Sequence, residues 1–269
     1  MTGSEDIKTA LTLTGVTFSY PRANALAGID LTVPAGSYCG IVGPNGSGKT
    51  TLAFLIAGIL RPTTGTLDTH GLRVGLVLSN PANQIVSLVV EEDIAFGPEN
   101  MGLSGPEINA RIDGALKAIH SEHLRKALTS TLSGGQLAKI AYAGQLAMDV
   151  DILVLDEGTV MLDPDSRSAL LAQIRELNEG LNKTVVHITH RLEDLMASDM
   201  VLVMEEGVIR LTATSAIDLA DRLSREESPG IEAGPELRYR CLLRALGIDD
   251  GDLRQATALL AEHIRASRT

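Results

Sequence analysis

Cysteine is scarce in this 269-residue chain: there are two, Cys39 and Cys241, far apart and without metal-ligand spacing. Reduced thiols in a cytosolic setting are the simplest reading, with Cys39 acting as a small apolar residue in an apparent core strand. Basic charge is also short. Lys and Arg number 23 against 34 Asp and Glu, a net charge of −11, which argues against a broad basic face for nucleic acid. No window holds 18 consecutive apolar residues, so no membrane-crossing helix is expected and a membrane role must come through a partner. The first ten residues are polar and lack a signal-peptide core. There is no internal repeat or low-complexity segment. What the chain does have is 44% apolar residues, enough for a sizeable core in one large domain with, at most, a small appendage.

The most informative stretch is Gly43-Pro44-Asn45-Gly46-Ser47-Gly48-Lys49-Thr50, followed by Thr51. It fits the phosphate-binding pattern G-x-x-x-x-G-K-[ST]. An apolar run, Tyr38-Cys39-Gly40-Ile41-Val42, precedes it as a buried strand, and residues 51–57 follow as a helix. Glycines let backbone N–H groups wrap phosphates, and the helix N-terminus favours an anion. Lys49 then reaches the β- and γ-phosphates, and the Thr50 hydroxyl is a Mg²⁺ ligand.

Residues 11–20 alternate apolar and polar as a half-buried strand, and 26–33 form a second. Short strands are expected over 66–78. Helix is expected over 91–128, punctuated by Gly97-Pro98 and Gly105-Pro106. A glycine-bearing loop covers 132–136, with a helix after it from Leu137. Buried strands read at 152–155, 184–189 and 201–204, with an amphipathic helix at 166–177. This alternation predicts a mostly parallel α/β sheet. The strand at 152–155 ends in Asp156-Glu157. At the carboxyl edge of such a sheet both acids would stand beside the phosphate loop. Asp156 is then a direct or indirect Mg²⁺ partner and Glu157 a general base for an attacking water.

Leu132-Ser133-Gly134-Gly135-Gln136 resembles the signature motif of ATP-binding-cassette (ABC) ATPases. It lies about eighty residues after the phosphate loop and just before Asp156-Glu157, the order found in that family. The resemblance implies that this loop reaches the ATP held by a second subunit. It also implies that Tyr20 stacks on adenine, that His190 contacts the γ-phosphate as a catalytic residue with Glu157 and Lys49, and that Asp163 couples the two sites. His187 matches nothing and reads as structural. Two positions depart from the pattern. Ser79 stands where the family has a Mg²⁺- and water-holding glutamine, and Val160 stands where serine or another small residue is usual. Both bear on turnover and coupling. Gln84 could stand in for Ser79, but its position five residues on weighs against it.

Asn80-Pro81-Ala82-Asn83-Gln84, the segment Val90-Glu91-Glu92-Asp93-Ile94-Ala95-Phe96-Gly97-Pro98-Glu99-Asn100 and Met161-Leu162-Asp163-Pro164 are similar to the energy-coupling factor (ECF) branch of the family, the CbiO-like ATPases for cobalt, nickel and B-vitamin uptake. The implied fold is an α/β P-loop ABC domain over 1–223. It has a mainly parallel core sheet, an N-terminal antiparallel β region and a helical subdomain over about 85–147. A linker at 224–234 and a C-terminal helical extension at 235–269 follow. The implied partners are a second ABC ATPase (a homo- or heterodimer), a transmembrane coupling protein and a small substrate-binding membrane subunit, with no nucleic acid. The implied place is the cytoplasmic face of the cell membrane. Glu91-Glu92-Asp93 is either a solvated acidic helix start or a receiver for basic coupling-helix residues. The readings outside this branch are a soluble, non-transport ABC ATPase and a low-turnover regulatory nucleotide-binding subunit.

Overall fold

The computed structural model describes residues 9–159 and 162–225. Its centre is a six-stranded sheet in the order β5-β6-β7-β3-β8-β9. The strands are β3 (Tyr38–Val42), β5 (Val74–Val77), β6 (Ile152–Asp156), β7 (Thr184–Ile188), β8 (Met200–Glu205) and β9 (Val208–Ala213). All neighbouring pairs are parallel except β8 with β9. Every residue of β3, β6 and β7 is buried, as expected when both faces of a parallel sheet are covered. Because strand side chains alternate, successive residues feed two cores. Cys39, Ile41, Val154 and Ile188 enter one, and Tyr38, Val42, Leu153 and Leu155 enter the other.

The first core is closed by a three-stranded antiparallel sheet, β2-β1-β4, of β1 (Thr9–Tyr20), β2 (Ala23–Pro34) and β4 (Thr64–Asp68), together with α1 (Lys49–Ile56). The second is closed by α5 (Pro164–Leu181) and by α2 (Val90–Asn100), α3 (Gly105–Ala118) and α4 (Gly134–Ala147), which pack on one another. Asp163 caps α5 by accepting from the Ser166 N–H at 3.0 Å, and Pro164 occupies its first turn. The mostly parallel sheet, the antiparallel N-terminal region and the helical subdomain all match expectation.

Several boundaries are corrected. The glycine-bearing 132–136 stretch is not a loop throughout, because α4 begins at Gly134. Ser133 is its N-cap: its hydroxyl accepts from the Gln136 N–H at 3.3 Å while the Gln136 side chain accepts from the Ser133 N–H at 2.9 Å. Gly97-Pro98 does not interrupt α2. Proline removes only one donor near the end of that helix, and Gly97 is needed for packing, since a Cβ there would lie 2.5 Å from Met148 Cγ. β9 and α6 (Ala216–Arg225) were not anticipated. Apart from the last two residues of α6, the expected linker and helical extension lie outside the described residues, as does Val160.

Candidate nucleotide site

Parallel strands point their carboxyl ends at one edge, so the segments after β3, β5, β6 and β7 meet there. The 43–50 loop leaves β3, Ser79 follows β5, Asp156 ends β6, and His190 follows β7. Gly43 has φ 156° and Gly48 φ 100°. A side chain at Gly43 would put its Cβ 2.0 Å from the Met204 carbonyl oxygen, and one at Gly48 2.5 Å from that of Ala25. The loop therefore takes this path only with glycine at both positions.

Lys49 opens α1 and is 6% exposed. Its Nζ donates to the carbonyl oxygens of Gly43 at 2.8 Å and Pro44 at 2.9 Å, and to Ser47 Oγ at 3.4 Å. Burial lowers the ammonium's pKa, and the carboxylates of Glu157 and Asp156 push it back up. Tyr20 ends β1, 43% exposed, edge-on to Phe18 with its hydroxyl 3.5 Å from Thr51 Oγ1. A cavity of about 370 Å³ lies between Tyr20, Asn45, Gly46, Lys49, Thr50 and Glu157.

Asp156 is 4% exposed, and its Oδ1 is buried without a hydrogen-bond partner. Burial raises its carboxyl, and the adjacent Thr50 hydroxyl acts in the opposite direction. A buried carboxylate oxygen left without a donor costs free energy, and a hard cation is one group that relieves it. Among the described residues no three His, Cys, Asp or Glu side chains form a metal cluster. A divalent ion here would rest on Asp156, Thr50 and oxygens of its own ligand, the sparse protein donor set typical of Mg²⁺ with a phosphate.

Glu157 has φ 54°, in the left-handed region that costs a side-chain-bearing residue about 1–2 kcal/mol. Its N–H donates to the Ile188 carbonyl at 2.9 Å. This turn lets Asp156 stay buried at the sheet edge while Glu157, 26% exposed, lines the cavity. His190 Nδ1 stands 3.5 Å from Glu157 Oε1. A carboxylate facing a cavity beside an imidazole can accept a proton from water.

The fold thus gathers Tyr20, the 43–51 segment, Asp156, Glu157 and His190. It does not bring the 132–136 motif to them. Ser133, Gly135 and Gln136 line a separate cavity of about 590 Å³ with Lys139, Asp165 and Ser166. A third and larger cavity, about 770 Å³ between α3 and α5, holds none of the anticipated site residues. Ser79 is exposed. Gln84 does not stand in for it: its Oε1 accepts from the Leu78 N–H at 2.7 Å and its Nε2 donates to the Leu76 carbonyl at 2.9 Å, so the carboxamide clamps the end of β5. Glu91 is bound by Arg125 and Lys126, and Asp93 Oδ1 accepts the N–H groups of Val86 and Ser87. The acidic start of α2 is mainly an internal tie, with Glu92 left exposed.

His187 is structural as expected. It is wholly buried, its Nδ1 is 2.8 Å from the Tyr38 hydroxyl, and burial lowers its pKa to about 4. Burial likewise pushes the Cys39 thiol up to about 12, so it is inert. Sequence reasoning passed over Thr159, Thr189 and Asp194, all buried behind Glu157 and His190. Asp194 sits in Leu192-Glu193-Asp194-Leu195, a charged turn with no local sign of burial.

The ABC transporter family profile matches residues 26–160. The chain is 42% identical over 251 residues to the energy-coupling factor transporter ATP-binding protein EcfA1 of Symbiobacterium thermophilum, covering 83% of this chain and 88% of that one. It is 38% identical over 238 residues to the cobalt import ATP-binding protein CbiO of Syntrophus aciditrophicus, covering 83% and 84%. The solved structure of cbiO1 from Clostridium perfringens, part of the ABC transporter complex cbiONQ, superposes with a TM-score of 0.73 at 32% identity, covering 82% of this chain and 92% of that one.

Proposed function

The chain belongs to the ABC transporter family of ATPases, in its energy-coupling factor branch, and from that premise we propose that it hydrolyses ATP at the sheet edge to drive an importer for a metal ion such as cobalt or nickel, or for a vitamin. The observation that carries the chemistry is the meeting of buried Lys49 and Asp156 with the Glu157–His190 pair around one cavity. Loop N–H groups and Lys49 neutralise the phosphates, and Tyr20 supports the base. Thr50 and Asp156 would hold the Mg²⁺ that accompanies ATP, an ion that spreads charge from the phosphate oxygens. Glu157 takes the proton of the attacking water, and His190 steadies the γ-phosphate.

The separate cavity at Ser133, Gly135 and Gln136 supports a dimer in which that edge completes the nucleotide site of a second ATPase subunit, with Asp163 at the seam. Among the described residues no helix is long and apolar enough to cross a membrane, so transport requires membrane partners on whose cytoplasmic side the chain docks. Exposed Val86, Leu88, Phe96, Met101 and Leu128, on and beside α2, supply the apolar surface for that contact. Purification of the tagged chain from its native membranes in mild detergent, with mass spectrometry of what accompanies it, tests this reading. A multi-span membrane protein together with a small membrane subunit is expected. Recovery of soluble proteins alone, with the tagged chain intact, would overturn the importer.

A further inference from the structure

Glu157 and His190 follow different strands, and their 3.5 Å contact is itself too exposed to hold the two loops in place. Directly behind them lies a buried carboxylate. Asp194 is 6% exposed and sits in the 3₁₀ turn Leu192–Leu195. Its Oδ2 accepts from Thr159 Oγ1 at 3.0 Å and from Thr189 Oγ1 at 3.5 Å. Thr159 is two residues after Glu157, and Thr189 is the residue before His190. Both threonines are wholly buried. Thr189 Oγ1 also accepts from the Arg191 N–H at 3.1 Å, and Arg191 Nε stands 3.6 Å from Asp194 Oδ1. From the far side, Arg167 of α5 donates to the Thr159 carbonyl at 3.2 Å and to that of Leu162 at 2.8 Å.

One oxygen atom therefore ties the loop after β6 to the loop after β7. We propose that Asp194 is a positioning residue for hydrolysis: through Thr159 and Thr189 it fixes the distance between Glu157 and His190. The idea rests on the assignment of Glu157 and His190 above. The buried carboxylate is worth its desolvation here because removing either hydroxyl leaves it under-bonded and frees one loop to shift. A displacement of about 1 Å at a reacting group can cost roughly a hundredfold in rate. Nucleotide affinity is a different matter, since Lys49 and the 43–50 loop hang from β3 and touch none of these groups among the contacts described.

The test is steady-state MgATP hydrolysis by the full-length chain carrying Thr159→Val, Thr159→Ser or Asp194→Asn, with circular-dichroism melting alongside. Valine keeps the shape of threonine and removes the hydroxyl. The expected result is a fall in kcat of about tenfold or more for Thr159→Val with KM for ATP within about twofold, and recovery in Thr159→Ser. Asp194→Asn, which keeps one acceptor oxygen, falls between and carries the test should Thr159→Val fail to fold. A merely structural role would lower the melting temperature and leave kcat of the folded protein unchanged. Wild-type kcat in both Thr159→Val and Asp194→Asn, or an equal loss in the valine and serine variants, would overturn the proposal. Glu157→Gln in the same assay separates the two ideas. If it still turns over, the base assignment fails; if it is dead while Thr159→Val is normal, only the positioning role fails.

Discussion

The two glycine-bearing motifs of this chain are built in opposite ways. The 43–50 loop is enclosed: Gly43 and Gly48 are pressed against backbone carbonyls, Lys49 is buried, and two acids from another strand face it. The 132–136 motif is a capped helix start open to a different cavity, with its serine and glutamine occupied in closing each other's backbone groups. The first is a site that one chain assembles from four strand ends. The second presents an edge and recruits none of the residues that do chemistry within the same chain. If the 132–136 edge completes a second subunit's site, as proposed above, one subunit holds one grip and one half of another, and a symmetric or pseudo-symmetric pair uses both.

Four measurements break or sharpen this contrast. Glu157→Gln should lower turnover at least about a hundredfold while ATP binding persists, because a general base contributes on that scale; a single-turnover assay with a parallel binding titration distinguishes the two. Lys49→Ala should weaken ATP binding by tenfold or more in the isolated chain, read by isothermal titration. Unchanged affinity would remove the enclosed loop from the binding site.

The third concerns the layer under the enclosed site. His187 is neutral in the fold, with a pKa of about 4 against about 6.5 when unfolded. A depressed folded value means that its contribution is whole above about pH 6.5 and is lost as pH falls toward 4. Between pH 7 and pH 5 the loss is about 2 kcal/mol. His187→Gln should flatten that part of the profile of melting temperature against pH, and an unaltered slope would place the acid sensitivity elsewhere.

The smallest effect belongs to the open motif. Ser133→Ala removes a helix cap worth about 1 kcal/mol and should lower the melting temperature by a few degrees. It should leave ATP affinity of the isolated chain untouched. If it matched Lys49→Ala in that titration, the two cavities would not be independent.

The same contrast explains what could be read from sequence. β3, β6 and β7 announce themselves as unbroken apolar runs, and the phosphate loop is legible because glycine, lysine and threonine stand at fixed local spacing. Parallel order then carries Asp156, Glu157 and His190 to the same edge. β9 is hard to read because it is a short edge strand without an unbroken apolar run, Arg210 and Thr212 alternating with Ile209, Leu211 and Ala213, and pairing with β8 rather than full burial holds it. α6 carries an apolar face, Ala216, Leu219 and Ala220, in a short segment that runs directly into polar sequence, which hides its periodicity. The five-residue offset already weighs against Gln84 as a stand-in for Ser79, but it does not show where the carboxamide goes instead, folded back on β5. Asp194 could not be found at all by pattern, since its burial depends on two threonines that are 35 and 5 residues away.

The left-handed backbone at Glu157 sets the order of tolerance at that position. In a library of all twenty residues there, ranking variants by resistance to heat and ranking them by turnover should give opposed lists. Glycine, free of the Cβ clash, should head the first and stand near the bottom of the second; asparagine and aspartate should follow it, and valine, isoleucine and threonine should fail both. The wild-type glutamate would be found low among the fold-stabilising choices and alone at the top for hydrolysis. A position with that signature marks where a protein has accepted a poorer scaffold in exchange for a side chain it needs.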